Sequence, residues 1–238
     1  MMSKNRGKER KRPAVCLSLS CETLAELRSE IEEYKDCCQL VEWCADATRG
    51  AGLMSETELV NTVREIRKLC PGKKVIVDYR GDLETGHRVK KAVLGYADII
   101  DVDAGDPALS RFVREARRKK SKVLVSFHEF AHMMDRNEVA EKYLRLEKSG
   151  ADILKIACLA QHEQDTYDIL AGAAAYTQLR HHRPIVAIAM GAAGQTSRIC
   201  AGDFGSVISY ACGSKPTAPG QFNARELSRY LDIYYGEK

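Results

Sequence analysis

The stretch VLVSFHEFAHMMD, residues 123–135, contains HEFAH, which satisfies the H-E-x-x-H pattern of zinc metalloproteases. That pattern works on a helix, where histidines four apart share one face and ligate one metal while the glutamate activates water. Here the residues leading to His128, KVLVSF, alternate and are rich in β-branched and aromatic side chains, as in a strand. Helical periodicity starts only at Asp135, in DRNEVAEKYLRLEKSG. His128 is therefore expected to end a strand, with His132 in the loop beyond it. No further His or Glu cluster downstream offers a third ligand, so no metal site is expected.

That strand is one of eight. The others are AVCLSLS, QLVEWCAD, KVIVDYR, ADIIDVD, ADILKIACL, PIVAIAMG and FGSVISYAC, and amphipathic helical patterns such as SETELVNTVREIRKLC and PALSRFVREARRKK separate most of them. The seventh connection, AAGQTSRICAGD, is short, and NARELSRYLDIYYG supplies a last helix. Strict alternation of strands and helices over a chain of 238 residues predicts a single-domain α/β fold, a (β/α)8 TIM barrel, over residues 14–238. An open doubly wound sheet is the alternative, weakened by the lack of a G-x-G-x-x-G after the first strand.

Composition narrows the setting. The hydrophobic content of 45% is enough for a sizeable core, and the longest apolar run, IVAIAMGAAG, is about half of the ~20 residues that a membrane helix needs. With no charged-then-apolar opening segment, a cytoplasmic protein without membrane partners is expected. The formal charge is +4, but residues 1–13 hold six Lys or Arg against one Glu, which leaves the remainder near −1. With no aromatic residues interleaved in it, this basic leader reads as a solvated, disordered start, and no nucleic-acid partner is expected. The nine cysteines are odd in number, form no C-x-x-C and fall mostly in apolar segments, as reduced core residues do.

In a barrel the active site lies at the C-terminal ends of the strands, where the polar residues of this chain gather. Glu42 and Asp46 end the second strand, Arg80 the third with Glu84 just beyond, Asp103 the fourth and His128 the fifth, Lys155 sits well inside the sixth, and Arg198 follows the seventh. Alternation puts Ile76, Asp78 and Arg80 on one face, Leu124, Ser126 and His128 on another, and Ile153, Lys155 and Ala157 on a third. Lys155 is the most informative, because DILKIACL surrounds it with apolar neighbours. Burial disfavours the ammonium, so the expectation is a lowered pKa and a nucleophilic amine able to condense with a ketone or aldehyde. The alternative is a head group that escapes to solvent or pairs with a carboxylate. A histidine at the end of the neighbouring strand favours catalysis, since imine chemistry needs an acid-base group near neutrality.

Six blocks, VEWCAD, YRGDLETG, VSFHEF, ADILKIA, MGAAGQTSR and FGSVISYACGSKPTAPGQF, resemble the type I 3-dehydroquinate dehydratase family in its order, from about Val15 to Phe222. The resemblance implies a (β/α)8 barrel, usually a homodimer. It implies syn elimination of water from 3-dehydroquinate through a lysine Schiff base, without a cofactor. By position, Lys155 matches the Schiff-base lysine, His128 the general acid-base, and Glu84 the glutamate that pairs with that histidine. Arg198 matches the arginine that holds the substrate carboxylate. Glu42, Arg80, Thr217 and Gln221 match substrate-contacting positions, and Met190 a methionine that packs at the site. Three residues depart from the family pattern: Cys44 stands where E-W-R-x-D has arginine, Glu129 where Asp is more common, and Thr217 where Ser is. The leader is also short and polar for the β-hairpin that often closes the lower end of the barrel. Another Schiff-base barrel, such as an aldolase acting on a phosphorylated sugar, and a catalytically silent binding barrel remain as alternatives.

Overall fold

The computed structural model describes residues 11–236, so most of the basic leader lies outside the described residues. Eight strands, β1 (Ala14–Leu19), β2 (Leu40–Cys44), β3 (Lys74–Asp78), β4 (Ile99–Asp103), β5 (Lys122–Glu129), β6 (Ile153–Leu159), β7 (Ile185–Met190) and β8 (Ile208–Cys212), pair in parallel. The order is β7-β6-β5-β4-β3-β2-β1-β8. The ring closes between β7 and β8 through a single bridge, Ile185 to Ser206, with Val207 N donating to Ile185 O at 2.8 Å. Eight helices alternate with the strands: α1 (Leu24–Tyr34), α2 (Glu56–Leu69), α3 (Leu83–Val93), α4 (Leu109–Lys119), α5 (Arg136–Glu147), α6 (Glu163–Thr177), α7 (Gln195–Cys200) and α8 (Ala224–Tyr235). The molecule is a (β/α)8 TIM barrel, and its short seventh helix follows from the short seventh connection. None of the described helices is long and apolar enough to cross a membrane.

Local signals set the helix starts. Thr23, Ser55 and Asp135 each form a capping box with a glutamate three residues on, and Asp82 and Asn223 cap α3 and α8 with their side chains. At the N-terminal edge of the described chain, Arg12 pairs with Asp232 on α8 at 2.9 Å.

Alternation along each strand divides the apolar residues into two groups. Val41, Trp43, Val75, Val77, Val123 and Val125 point outward into the layer between sheet and helices. Cys16, Leu40, Ile76, Ile99, Leu124, Ile153, Val186 and Ile208 fill the barrel interior. One inward position further along most strands the interior turns polar, with Ser18, Glu42, Asp78, Asp101, Ser126 and Lys155, all buried. An apolar plug thus carries a charged layer beneath the mouth.

The outer layer is tight where α5 crosses α6. A Cβ on Gly172 would come within 2.6 Å of both Arg136 O and Val139 Cβ. In an open helix Gly→Ala stabilises by about 1 kcal/mol, so the sign of the effect tests the packing. Gly172→Ala should instead destabilise by about 1–3 kcal/mol. A thermal melt should show a lower Tm, by roughly 2–4 °C per kcal/mol.

Candidate active site

At the C-terminal ends of the strands lies a cavity of about 300 Å³ whose floor is the charged layer. Lys155, on β6, is almost wholly buried, with Nζ 3.3 Å from Asp101 Oδ2 and 4.2 Å from the centre of the Tyr210 ring. Burial alone would lower its pKa, as expected from the sequence, but the charges of Asp101, Glu42 and Asp78 outweigh burial and raise it. The resting group is therefore an ammonium, a correction to the expected free amine. Burial works against the Asp101 carboxylate too, yet Lys155 and Arg80 hold it down to a pKa of about 2, and Ser126 Oγ donates to it at 2.5 Å.

Arg80 ties the floor to the mouth. Its Nε donates to Asp78 Oδ2 at 2.5 Å, and Nη2 lies 3.5 Å from Asp101 Oδ2. Nη1 stands 3.0 Å and 3.2 Å from the two ring nitrogens of His128, so the guanidinium faces the imidazole. Burial, and after it the charges of Lys155 and Arg80, push the His128 pKa down to about 3. The ring is neutral at physiological pH rather than poised near it. Asp78, by contrast, is pushed up to about 6 by burial and by the neighbouring Asp101.

Glu42 Oε2 accepts from Ser18 Oγ at 2.6 Å and lies 3.8 Å from the Cys44 thiol, while Oε1 is buried without a hydrogen-bond partner. Burial and the charges of Glu42 and Asp78 raise the Cys44 pKa far enough to keep the thiol protonated. Across the cavity, Arg198 is 3% exposed and donates to the carbonyls of Gly220, Tyr210 and Pro219 at 2.8–3.1 Å. Gly220 has φ +72°, and a Cβ there would run into the Gly191 carbonyl; glycine is what lets this loop settle over Arg198. Thr217 and Gln221 line the same wall, and Gln221 Oε1 accepts from the backbone N–H of Thr217 and Ala218, so both also shape the turn. Met190 is buried in the lining.

One expected neighbour is elsewhere. Glu84 sits exposed in the first turn of α3, because Asp82 caps that helix and leads the chain outward just after Arg80. The His128 ring meets Arg80 instead. Glu129 Oε1 accepts from the backbone N–H of Phe130, Ala131 and His132, closing a tight loop, and His132 points to Glu138 at 3.3 Å. The two histidines of HEFAH thus lie on a strand and a surface loop.

The sequence reading missed Asp101, Ser18 and Tyr210 as floor residues, and put Asp78 on a shared face with Arg80 without giving it a role. Parity within IIDVD favoured Asp101 and Asp103 equally; only Asp101 is buried, while exposed Asp103 turns to the Gly105 amide. Among the described residues, Glu42, Asp78 and Asp101 offer oxygens within 4.8 Å of one another, a spacing that suits a cation. Lys155 and Arg80 already occupy two of the three.

The sequence model of the family described as type I 3-dehydroquinase matches residues 15–238. The 3-dehydroquinate dehydratase of Clostridioides difficile strain 630 is 27% identical over 94% of this chain and 92% of its own. That of Aromatoleum aromaticum is 29% identical over 94% and 90%. Among solved structures, a type I 3-dehydroquinate dehydratase from Clostridium difficile with covalently modified comenic acid superposes with TM-score 0.86 at 26% identity, covering 95% of this chain and 94% of that one. A 3-dehydroquinate dehydratase from Geobacillus kaustophilus shares the fold at TM-score 0.85 and 22% identity, over 93% and 90%.

The neutral state of His128 has a checkable origin. A positive neighbour disfavours the imidazolium, so removing one should raise the pKa. In an NMR titration the His128 ring should protonate with a midpoint of about 3, and Arg80→Met should move that midpoint upward. An unmoved midpoint in the folded variant would mean that burial and Lys155 set it without Arg80.

Proposed function

The chain belongs to the type I 3-dehydroquinase family, and on that premise we propose that it eliminates water from 3-dehydroquinate to give 3-dehydroshikimate through a Schiff base on Lys155. The observation that carries this reading is the buried Lys155 ammonium, held by Asp101 in the floor of a cavity that His128 and Arg198 also line.

Each step draws on a group in place. Arg198 has spent three of its five N–H donors on carbonyls, which leaves two for a substrate carboxylate. Lys155 must first lose a proton. As it does, one of the two cationic charges depressing His128 disappears, and the imidazole gains basicity until the iminium restores that charge. The free amine adds to the ketone, and the proton that Lys155 gave up returns to the carbinolamine hydroxyl, which leaves as water and gives an iminium. The iminium withdraws electrons from the adjacent carbon, and His128 takes the proton released there. The electron pair left behind expels the hydroxyl one carbon further on, and the imidazolium returns its proton so that the hydroxyl departs as water. Hydrolysis of the iminium frees the enone and the lysine. Asp101 stabilises the cation on Lys155 at both ends of the cycle, and Arg80, rather than Glu84, orients the His128 ring. We propose that this chemistry runs without a cofactor, in a cytoplasmic homodimer.

Turnover followed by the absorbance of the conjugated enone tests the activity. Borohydride with substrate present should inactivate irreversibly and leave substrate mass on the peptide containing Lys155, whereas borohydride alone should not. Mass on a different lysine, or none in an active preparation, would sink the imine step.

The same assay separates this reading from a zinc hydrolase. Exhaustive chelation should leave the rate unchanged. His132→Ala should be nearly silent, while His128→Ala should lose about 10²–10⁴-fold; equal losses would contradict the assignment.

A further inference from the structure

The cavity has two walls of opposite character. On the β7–β8 side Arg198 is buried among carbonyl oxygens, with no carboxylate among its hydrogen-bond partners. On the β1–β3 side stand Ser18, Glu42, Cys44, Asp46 and Asp78. Strand register sets Ser18 beside Glu42, and Cys44 beside Asp78.

Charge on the acidic side does not balance. Glu42, Asp78 and Asp101 lie within 4.8 Å of one another, and Lys155 and Arg80 answer only Asp101 and Asp78. Glu42 is 3% exposed and has only neutral donors, the Ser18 hydroxyl and the Cys44 thiol, both directed to Oε2. Among the described residues its Oε1 has no hydrogen-bond partner, and neither has the buried hydroxyl of Tyr210 in the same lining. Cys44 lies 3.8 Å from Glu42 and is the register partner of Asp78, and it is neutral. Asp46, exposed at the rim, adds a further negative charge.

We propose that this wall is a subsite for a hydrogen-bond-donating, preferentially cationic substituent, so that the cavity selects a zwitterionic ring. The ligand places its carboxylate on Arg198 and an ammonium, in the position of a ring hydroxyl, against Glu42 and Asp78. The inference rests on the dehydratase reading only for the kind of ring. It also serves the chemistry. The carboxylates that would receive the ammonium are among those that hold Lys155 protonated, so a ligand cation drawing on their charge eases the loss of the lysine proton.

Binding of quinate, which has no ketone and forms no imine, separates recognition from catalysis. Calorimetry on the full chain would compare quinate with the two amines in which its 4- or 5-hydroxyl is replaced by ammonium. At least one amine should bind roughly tenfold tighter than quinate, the scale of one charge-assisted hydrogen bond. Cys44→Ala should keep that preference, and Cys44→Arg should reverse it in favour of quinate. If neither amine outbinds quinate in the unmodified protein, the proposal is overturned, whether or not the arginine variant folds. Tight binding of Mg²⁺ that displaces the amine would assign the wall to an inorganic cation and overturn it as well. Turnover of 3-dehydroquinate without amine preference would remove the subsite and leave the dehydratase reading standing; amine preference without turnover would do the reverse.

Discussion

An ammonium inside a barrel has to be answered by an anion, and the pairing of Lys155 with Asp101 at 3.3 Å is the constraint that organises the upper half of this molecule. Taking away one partner of such a pair leaves the other charged and buried, at a cost of about 3–5 kcal/mol. Asp101 in turn takes a hydrogen bond from Ser126 and lies 3.5 Å from Arg80. Arg80 is held in place by Asp78, which stands beside Glu42. Each charge is tolerated because the next one is there, so the layer behaves as a network rather than as separate residues.

The barrel delivers that network through parity. Side chains two apart on a strand share a face, so the strands that send Ile99, Leu124 and Ile153 into the apolar plug also send Asp101, Ser126 and Lys155 into the layer above it. The register that puts Ser126 opposite Lys155 also puts His128 opposite Ala157, one inward step nearer the mouth. A slip of one residue in β6 would turn Lys155 into the helix layer and bring Leu154 or Ile156 to the floor. Packing of the outer layer therefore fixes the chemistry of the inner one.

Most of this was legible in the chain because it is local. Strand and helix periods and the inward parity of Asp78, His128 and Lys155 depend on neighbours within a few residues. What was not legible depends on residues far apart in the chain. Fifty-four positions separate Lys155 from Asp101, so burial seemed to imply a lowered pKa, whereas three carboxylates from other strands reverse its sign. The expectation for Glu84 came from a sequence match; the cap at Asp82 turns α3 so that the glutamate faces solvent. Asp101 and Asp103 have equal claims by spacing, and only the way the chain leaves β4 separates them.

The resting site thus has its proton on the lysine and none to spare on the histidine, the opposite of what a nucleophile and its acid-base partner require. These two states support each other: the Lys155 charge keeps His128 neutral, and the carboxylates keep Lys155 charged. Whatever discharges Lys155 also raises the basicity of His128. A ligand that moves charge between the acidic wall and Arg198 can therefore prepare both groups together, without any movement of the backbone. On this view the unanswered carboxylate of Glu42 is part of how the site responds to what enters it. Neutral Cys44, unlike a cation in its place, leaves that response to the ligand.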